Sequence, residues 1–467
     1  VSGVGGFQGP IALATGSTLY MNTNTGTTVS GAISGDGSVV VKASTTFSGA
    51  NTYTGGTTVL NGATVTLGRA AVMNGSTITS SAIGTGTLTL GDATTSGAVS
   101  LNGYALLPNN IVLNGTASIS AGTATAAQVV SGTISDGINT GKSLTINDFS
   151  TGAGKSIEIS GNNSYTGATT IATNTGDSVI LSNSNALGVG SAGIVYSSNY
   201  PGTLMLKGGI TLSKPITMNS GYAGTLGSQS GDNTYTGNLT HAGNTTTISN
   251  AAGTLTFAPT SGNAIDYGSS TLTFSGAGNV AVNGPVVGSA AITSSAGLLT
   301  LAGNNTFTGT MTVSSGVVRA ASSTALGATS AGTTVANGAT LELGGPASPS
   351  GIAIGAEALT LNSGALVHNV AGYNTYAGAM SLGGSATITV DTGTRLNFTA
   401  TSTIANYNNP NLLTFYTNGN LSIAQPITGS GSYVKVGSGT LTLTGSATAR
   451  SRARRGSPAR PTRWLAG

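Results

Sequence analysis

The chain has 467 residues, of which 74 are glycine, 38% are hydrophobic and only 6% are charged. Disordered chains combine low hydrophobicity with high net charge, so this composition predicts a folded chain with many turns. The formal net charge is +4, but six of the fifteen basic residues lie in the last 18 positions, which leaves nine basic and eleven acidic residues before them. The body therefore lacks the clustered positive charge of a nucleic-acid-binding protein. No cysteine occurs, which excludes thiolate catalysis and thiolate metal sites.

Short runs that alternate a hydroxyl residue with an apolar residue recur along the chain. This period of two predicts strands with one buried face. In chain order the clearest runs are residues 87–90, 143–146, 254–257, 271–274 and 440–443. Between such runs stand pairs that favour turns and positive φ angles: Gly91-Asp92, Asn102-Gly103, Asn114-Gly115, Asn283-Gly284 and Asn337-Gly338. No stretch has a convincing amphipathic helix pattern, so the sequence predicts an all-β fold of many short strands.

One phrase occurs five times. It reads FSGANTYTGGTTV at 47–59, ISGNNSYTGATTI at 159–171, SGDNTYTGNLT at 230–240, LAGNNTFTGTMTV at 301–313 and VAGYNTYAGAMSL at 370–382. From the second phrase onward the interval is nearly constant, and repetition at a nearly fixed period indicates stacked units. The interval of roughly 70 residues corresponds to about three coils of a parallel β-helix, at roughly 20 to 25 residues per coil. The stack is therefore expected to form a rod.

The aromatic residue of the phrase has two interpretations. The five residues are Tyr53, Tyr165, Tyr235, Phe307 and Tyr376. They could form an exposed column that binds carbohydrate, or a structural stack beside the turn. Phe307 favours the structural stack, because it shows that the hydroxyl is dispensable at this position.

Acidic residues are the main candidates for catalysis. A β-helical polysaccharide lyase or glycoside hydrolase would need clustered carboxylates. The densest group is Asp136, Asp148 and Glu158, with Lys142 and Lys155 nearby, and these residues could meet on neighbouring coils. The other acids are scattered, and turn or solvated positions are expected for most of them: Asp36, Asp92, Asp177, Asp232, Asp266, Glu342, Glu357 and Asp391. We therefore predict no catalytic, cofactor-binding or metal-binding residue.

Two further motifs have weak functional interpretations. Gly141-Lys142-Ser143 and Gly154-Lys155-Ser156 end like a phosphate-binding loop, but Asp136 and Phe149 occupy the required first glycine positions and no helix is predicted to follow. His241 and His368 are far apart in the chain, and neither has a nearby carboxylate in the sequence. Surface or turn positions are therefore predicted for both histidines, and no metal or triad role.

The repeat as a whole resembles a known family. The patterns are GSGTLTLTG at 437–445, NTYTGGTTV at 51–59, NGATVTLG at 61–68, NALG at 185–188 and TALG at 324–327. Together they are similar to the autotransporter-associated β-strand repeat in passenger domains of Gram-negative autotransporters. The resemblance covers most of residues 31–446 and includes no catalytic residue. It implies a right-handed parallel β-helix, or β-solenoid, at the cell surface or outside the cell.

The resemblance also sets the functional expectation. It implies a non-enzymatic surface rod that acts in display, adhesion or self-association, and the alternative is the β-helical lyase or glycoside hydrolase. Expected partners are a host or neighbouring-cell surface, a polysaccharide or a second copy, with no nucleic acid and no cofactor. Membrane contact is expected only through a C-terminal translocator missing from this sequence.

The sequence divides into two predicted regions. Residues 1–446 form the passenger-like region, and residues 447–467 form a basic tail that contains six arginines and the only tryptophan, Trp464. The tail is interpreted either as a segment that binds an acidic surface or as out-of-frame translation, and the second interpretation is favoured. We expect it to be poorly packed, because arginine-rich sequence cannot continue an uncharged stack.

Overall fold

The computed structural model describes residues 6–22, 26–104, 106–122, 128–148, 154–197, 201–219, 221–241, 243–344, 351–399, 402–405, 410–446 and 450–451. The chain divides into two compact units, Val1–Asn233 and Thr234–Gly467. Within the described ranges every regular element is a β-strand and no helix occurs. None of these residues forms a helix that is long and apolar enough to span a membrane.

The described residues of the first unit form 26 complete strands. In chain order they are β1 (Ile11–Leu13), β2 (Thr18–Met21), β3 (Thr27–Val29), β4 (Ile33–Gly35), β5 (Ser38–Val41), β6 (Thr45–Phe47), β7 (Thr57–Val59), β8 (Thr64–Leu67), β9 (Val72–Asn74), β10 (Thr77–Ser80), β11 (Leu88–Leu90), β12 (Gly97–Ser100), β13 (Leu106–Leu107), β14 (Ile111–Leu113), β15 (Ala117–Ser120), β16 (Gln128–Val130), β17 (Ile134–Asp136), β18 (Leu144–Asp148), β19 (Ser156–Ile159), β20 (Thr169–Thr173), β21 (Ser178–Leu181), β22 (Ile194–Tyr196), β23 (Gly202–Lys207), β24 (Thr211–Leu212), β25 (Ile216–Met218) and β26 (Gly224–Ser230).

Three long parallel sheets build the described part of this unit, and β1 and β4 form a further parallel pair. The first sheet has the order β2-β5-β7-β11-β14-β17, the second β3-β6-β8-β12-β15-β18-β20-β22-β25, and the third β13-β16-β19-β21-β23-β26. From β11 to β19 the chain visits the three sheets in turn, so that each circuit is one coil. Ile111 pairs with Ile134, and Ile119 pairs with Ile146 on the next coil. The first unit is therefore a parallel β-solenoid.

One hairpin interrupts the parallel pattern of the first unit. Strands β9 and β10 pair antiparallel, with Asn74 opposite Thr77. Most side chains of the hairpin are exposed or half-buried. It lies between β8 and β11, and so lengthens one coil without contributing to the core.

The second unit continues the chain with strands of similar length. They are β27 (Asn233–Tyr235, which includes the boundary), β28 (Leu239–His241), β29 (Thr245–Asn250), β30 (Thr254–Phe257), β31 (Ile265–Asp266), β32 (Thr271–Ser275), β33 (Asn279–Val282), β34 (Val286–Val287), β35 (Ile292–Ser294), β36 (Leu298–Leu301), β37 (Met311–Val313), β38 (Val317–Ala320), β39 (Thr333–Val335), β40 (Thr340–Leu343), β41 (Ala353–Ile354), β42 (Leu359–Leu361), β43 (Leu366–Asn369), β44 (Tyr373–Tyr376), β45 (Met380–Leu382), β46 (Ala386–Val390), β47 (Arg395–Phe398), β48 (Ile404–Ala405), β49 (Leu412–Thr417), β50 (Asn420–Ile423), β51 (Ile427–Thr428), β52 (Ser432–Val436), β53 (Thr440–Leu443) and β54 (Arg450–Ser451).

The second unit is also a parallel β-solenoid. Its longest sheets have the orders β29-β32-β35-β37-β39-β42-β45-β48-β51 and β30-β33-β36-β38-β40-β43-β46-β49-β52-β54. A third sheet, which we call the C-terminal sheet, has the order β41-β44-β47-β50-β53. Ile292 pairs with Met311 across a short coil, and Thr333 pairs with Leu359 across a longer one. These two coils bracket the coil length predicted from the sequence.

The core follows from the alternation along each strand. Leu272, Ile292 and Met311 occupy one register position on successive coils and are all buried. Since neighbouring strands are ~4.8 Å apart, such side chains pack directly on one another through the stack. All five predicted hydroxyl-apolar runs overlap strands, namely β11, β18, β30, β32 and β53. The predicted all-β solenoid is therefore confirmed.

The turn predictions hold in part. Gly91, Asn102, Gly103 and Gly338 have positive φ angles, as predicted. The Asn114-Gly115 and Asn283-Gly284 pairs do not have them. Apart from the short strand β54, the predicted tail at 447–467 lies outside the described residues, so its boundary and its poor packing stay predictions.

Candidate functional site

The predicted acidic group does not form a site. Asp136 ends β17 in the first sheet, Asp148 ends β18 in the second, and Glu158 lies in β19 of the third. Three strands of one coil belong to three different sheets, and therefore to three different sides of the solenoid. The strands that carry these acids therefore do not bring them together on neighbouring coils, as the enzyme alternative would require.

The charged side chains of this group that the structure describes have local partners. The Asp136 Oδ2 atom accepts hydrogen bonds from the Thr166 amide at 3.1 Å and the Thr166 hydroxyl at 2.6 Å. Glu158 forms an ion pair with Lys207, with 2.8 Å between Oε2 and Nζ. Burial opposes the ionisation of Glu158, but hydrogen bonds from Lys207 and Ser182, together with the Lys207 charge, hold its pKa below the ordinary value. Asp136 thus stabilises a turn through Thr166, and Glu158 joins two coils through Lys207.

The phosphate-loop motifs also have structural roles. Strand β18 follows Gly141-Lys142-Ser143, and strand β19 begins within Gly154-Lys155-Ser156. Lys155 is buried, and its amide donates to Asp177 Oδ1 at 2.8 Å. Neither motif precedes a helix N-terminus that could bind phosphate, as the sequence analysis predicts.

His241 is a core residue. It lies in β28 and is 1% exposed, and its Nδ1 atom is 2.7 Å from the Thr246 hydroxyl oxygen. The prediction of a surface or turn position is therefore wrong for this histidine. Side chains alternate between the two faces of β28, and His241 points inward on the same face as the buried Leu239.

His368 belongs to a row of polar and charged side chains that we call the outer ladder: Arg319, Glu342, His368 and Asp391. Arg319 pairs in register with Glu342, and Glu342 pairs in register with His368. Nε and Nη2 of Arg319 both lie 2.7 Å from Glu342 Oε2. His368 Nε2 is 3.0 Å from Asp391 Oδ1, and Nδ1 is 3.9 Å from Glu342 Oε1. The expectation that His368 has no nearby carboxylate is wrong, because its partners lie about one coil away in sequence.

Metal binding has no candidate in the described ranges. No group of three or more histidine, aspartate or glutamate side chains there has an arrangement that could hold a metal ion. The outer ladder is instead a chain of pairwise contacts along the stack.

The asparagine of the repeated phrase is the residue that sequence analysis missed. Asn51, Asn163, Asn233, Asn305 and Asn374 stand two positions before the aromatic residue, and each is at most 2% exposed. Each Oδ1 atom accepts a hydrogen bond from a main-chain amide that precedes the phrase. The donors are Ile33 at 2.8 Å, Ile134 at 2.7 Å, Ile210 at 2.9 Å, Val286 at 2.9 Å and Ile352 at 2.7 Å. The constant position of this asparagine in all five phrases was the available signal.

In three phrases the same asparagine also bonds forward along the chain. Nδ2 of Asn51, Asn163 and Asn305 donates to a carbonyl of the following coil. The acceptors are Ala82 at 2.6 Å, Ala186 at 2.5 Å and Ala325 at 2.9 Å. One side chain therefore links the coil before it to the coil after it. We call this arrangement the coil clamp.

The aromatic residue completes the coil clamp. In the turn that accepts the forward bond stands a glycine with positive φ: Gly84, Gly188 or Gly327. A Cβ atom at Gly327 would lie 2.6 Å from the Phe307 ring, and one at Gly84 would lie 2.7 Å from the Tyr53 ring. All five aromatic side chains are at most 1% exposed. The structural interpretation of the aromatic column is therefore confirmed, and this column is not an exposed carbohydrate-binding surface.

The tyrosine hydroxyls of the repeated phrase are all hydrogen-bonded. The hydroxyls of Tyr53 and Tyr165 hydrogen-bond those of Thr57 and Thr169, at 2.5 Å and 2.7 Å. Burial raises the pKa of both tyrosines, so they remain neutral. Four positions after Phe307 the chain has Met311 instead of threonine. Tyr235 and Tyr376 also have no threonine four positions on, and their hydroxyls donate to the carbonyls of Asn238 at 2.8 Å and Glu357 at 2.9 Å. Phe307 has no hydroxyl and so leaves no polar group that would need a partner.

The other two phrases use the asparagine within their own coil. Asn233 Nδ2 donates to the Ser228 hydroxyl and the Ser230 carbonyl, both at 2.9 Å. Asn374 Nδ2 donates to Asn369 Oδ1 at 2.7 Å and to the Ala371 carbonyl at 2.8 Å. These phrases keep the backward bond and lack the forward bond.

Comparison with protein families identifies the repeat. Residues 43–67, 157–173, 294–320 and 434–450 match the model of the passenger-associated-transport-repeat. The chain carries autotransporter passenger repeats. The resemblance predicted from the sequence is therefore confirmed. No curated protein and no solved structure matches the chain at a significant level.

Three of the four matched segments contain an asparagine of the coil clamp. The first three contain Asn51, Asn163 and Asn305, the asparagines that bond to both neighbouring coils. The phrases at 230–240 and 370–382, which lack the forward bond, lie outside the matched segments. In three of its four matches in this chain the repeat therefore includes the asparagine that joins neighbouring coils.

Proposed function

We propose that this chain is a non-enzymatic autotransporter passenger that is displayed at the cell surface. The observation that carries this proposal is the coil clamp: the most regular residues of the repeat are buried and bonded to neighbouring coils. Such residues specify a stack and are inaccessible to a substrate. The passenger repeats supply the link to secretion and surface exposure.

The arrangement of charge supports the same proposal. Asp136, Asp148 and Glu158 lie on three different sheets, and the outer ladder consists of pairwise contacts. Hydrolysis of a glycosidic bond would need two carboxylates that flank the bond. Glu342 and Asp391 share the outer face of the ladder, but both contact His368, which lies between them. A display function needs only a stable stack with an accessible outer face.

Surface exposure can be tested on intact cells that produce the natural protein. Protease added outside the cells should cleave the passenger, while a periplasmic marker protein stays intact. Cleavage seen only after the outer membrane is permeabilised would contradict surface display. Binding of an antibody against residues 1–446 to intact cells provides a second measurement.

The absence of catalysis is tested with the purified chain. Incubation with acidic and neutral polysaccharides, with Ca²⁺ supplied, should release no reducing ends and no unsaturated products. Glu158→Ala and Asp136→Ala serve as variants. Cleavage by the original chain that disappears in either folded variant would replace the display proposal with the lyase or hydrolase alternative.

Adhesion and self-association are the two activities through which display would act. Sedimentation of the purified chain over a range of concentrations measures self-association directly. Attachment of beads coated with the chain to cells, compared with uncoated beads, measures adhesion. If both measurements are negative, the role of the passenger is display alone.

A further inference from the structure

The outer face of the C-terminal sheet carries two columns of polar side chains. The register places Tyr373, Arg395, Asn420 and Thr440 in one column, and Thr375, Asn397, Ser422 and Thr442 in the other. These side chains are exposed or half-buried, while the residues between them along each strand are inward. Similar polar groups therefore recur at the strand spacing of ~4.8 Å.

The last three strands of this sheet form a shallow groove of about 390 Å³. Six outward side chains line it: Arg395, Asn397, Asn420, Ser422, Thr440 and Thr442. A volume of roughly 300 to 1,000 Å³ is typical of sites for small ligands. The lining consists mostly of amides and hydroxyls, which can both donate and accept hydrogen bonds.

An aromatic ring and a cation lie at one end of the groove. Tyr373 is 56% exposed, and the Arg395 guanidinium carbon lies 5.2 Å from its ring centroid. Arg395 is the only charged side chain that lines the groove, and no carboxylate occurs among the described outward residues of this sheet. The groove is therefore polar and positively charged.

We propose that this groove binds a linear acidic polysaccharide built from uronic acid sugars. The hydroxyls of successive sugars would meet the amides and hydroxyls of successive strands, because an extended glycan repeats over a distance close to the strand spacing. Arg395 would pair with a sugar carboxylate, for which the guanidinium fork is suited. The exposed ring of Tyr373 offers a surface on which a sugar ring stacks.

This site is separate from the buried aromatic column of the repeats. It goes beyond the display proposal and does not depend on it, because binding is measured on purified protein. If the purified chain does not bind the polysaccharide, the proposal of surface display is unaffected. If the chain is not displayed at the surface, the proposed binding site is unaffected.

The test is titration of the purified full chain with a hexamer of α-1,4-linked galacturonic acid, with EDTA present to remove Ca²⁺. The β-1,4-linked glucose hexamer is the neutral comparison. We expect saturable binding of the acidic hexamer and weaker binding of the neutral one. Arg395→Gln should weaken binding of the acidic hexamer about tenfold or more, because it removes a charge-assisted hydrogen bond.

Two further variants make the test specific. Lys42→Gln is the matched control, since Lys42 Nζ lies 5.4 Å from the ring centroid of the exposed Tyr20, on the first unit. It should leave binding unchanged. Asn420→Asp places a negative charge in the groove and should reduce binding of the acidic hexamer as strongly as Arg395→Gln. Circular dichroism confirms that each variant remains folded.

Several outcomes would overturn the proposal. The absence of saturable binding would do so, and so would equal binding of the two hexamers. Binding that persists in both Arg395→Gln and Asn420→Asp would place the attraction elsewhere, for example on the arginines at 450–463. Equal losses in Lys42→Gln and Arg395→Gln would indicate nonspecific attraction to positive charge.

Discussion

The phrases around Asn305 and Asn374 lie in the same unit and share their sequence pattern, but they are bonded differently. Asn305 bonds to Val286 before it and to Ala325 after it. Asn374 bonds to Ile352 before it, but its amide group turns back to Asn369 and Ala371. The difference lies in the following coil, because only Asn305 is followed by the turn TALG at 324–327. The clamp therefore requires two segments of sequence: the phrase that contains the asparagine, and the turn on the next coil that accepts its forward bond.

The same pair of phrases differs in the polar groups of the core. Phe307 and Met311 bring no polar group to the clamp around Asn305. In the other phrase, the Tyr376 hydroxyl donates to the Glu357 carbonyl at 2.9 Å. The Glu357 side chain is itself buried beside Thr333. The phrase without a forward bond thus contacts a buried acid, Glu357, which lies before the phrase in the chain.

The largest expected effect is at the glycine of the clamp. Gly327→Ala should lower the free energy of unfolding by about 3 kcal/mol or more, since its methyl group would overlap Phe307 at a positive φ. Gly338→Ala is the matched control, because its φ is +73° and nothing lies within 4 Å of a Cβ there. The control should cost ~1 kcal/mol. Equal losses in thermal unfolding would show that the aromatic contact contributes nothing.

The second prediction tests whether the Asn305 side chain joins its own coil to the next one. Asn305→Ala should cost about 2 to 4 kcal/mol, because it leaves the buried Val286 amide and Ala325 carbonyl unpaired. Hydrogen exchange should also become faster in the turn at 322–328, which belongs to the next coil. Asn304→Ala alters an exposed neighbour of the same type and should change neither quantity.

Asn374→Ala completes the comparison. It should destabilise its own turn and β43, where its amide group is bonded, without faster exchange in the following coil. Faster exchange one coil ahead in this variant would mean that both phrases clamp, and that the hydrogen-bond pattern does not decide the coupling.

The sequence predicted the coil and its strands because both depend on local patterns. Alternation in 254–257 and 440–443 reproduces β30 and β53 to the residue. The buried aromatic column was predicted from the single substitution at Phe307. These features need no knowledge of which coils are neighbours.

Contacts between coils were not predictable in the same way. The partners of His368 are Glu342 on the preceding coil and Asp391 on the following one, and an insertion such as the β9–β10 hairpin changes the spacing between coils. The burial of Glu357 likewise depends on a turn before β42 rather than on strand alternation. Asn305 repeats visibly in sequence, but its forward acceptor could be identified only from the register.

The third prediction uses Glu357, the buried acid that contacts the unclamped phrase. Burial raises the pKa of Glu357 from 4.5 to about 7, although a hydrogen bond from Thr333 at 3.0 Å opposes the shift. Between about pH 4.5 and pH 7 the unfolded chain loses a proton that the folded chain keeps. The contribution of Glu357 to stability should therefore fall as the pH rises through this window, and it should be constant above about pH 7.

Glu357→Gln removes this titration and keeps the shape of the side chain. The original chain should lose more thermal stability than the variant between pH 5 and pH 8. Asp136→Asn, in the first unit, controls for the removal of an acid that lies partly exposed at a turn. Parallel pH profiles for the original chain and Glu357→Gln would show that Glu357 ionises in the folded state as readily as in the unfolded state.

The smallest expected effect is on the outer face of the same coils. The outer ladder runs from Arg319, which follows Asn305 in the chain, to Asp391, which follows Asn374. Its side chains are partly exposed. Ion pairs that remain in contact with solvent contribute little, so Glu342→Gln should cost about 0.5 to 1 kcal/mol. The double variant Arg319→Gln/Glu342→Gln, measured beside the two single variants, isolates the energy of the pair itself. At 1 M salt the screening length is ~3 Å, and this coupling should largely disappear.

Loss of the Asn305 bonds, by contrast, should cost nearly the same at low and high salt, because these bonds are buried and uncharged. A ladder coupling that exceeds the cost of Asn305→Ala, or that survives high salt, would assign the cohesion of these coils to their surface instead of the clamp.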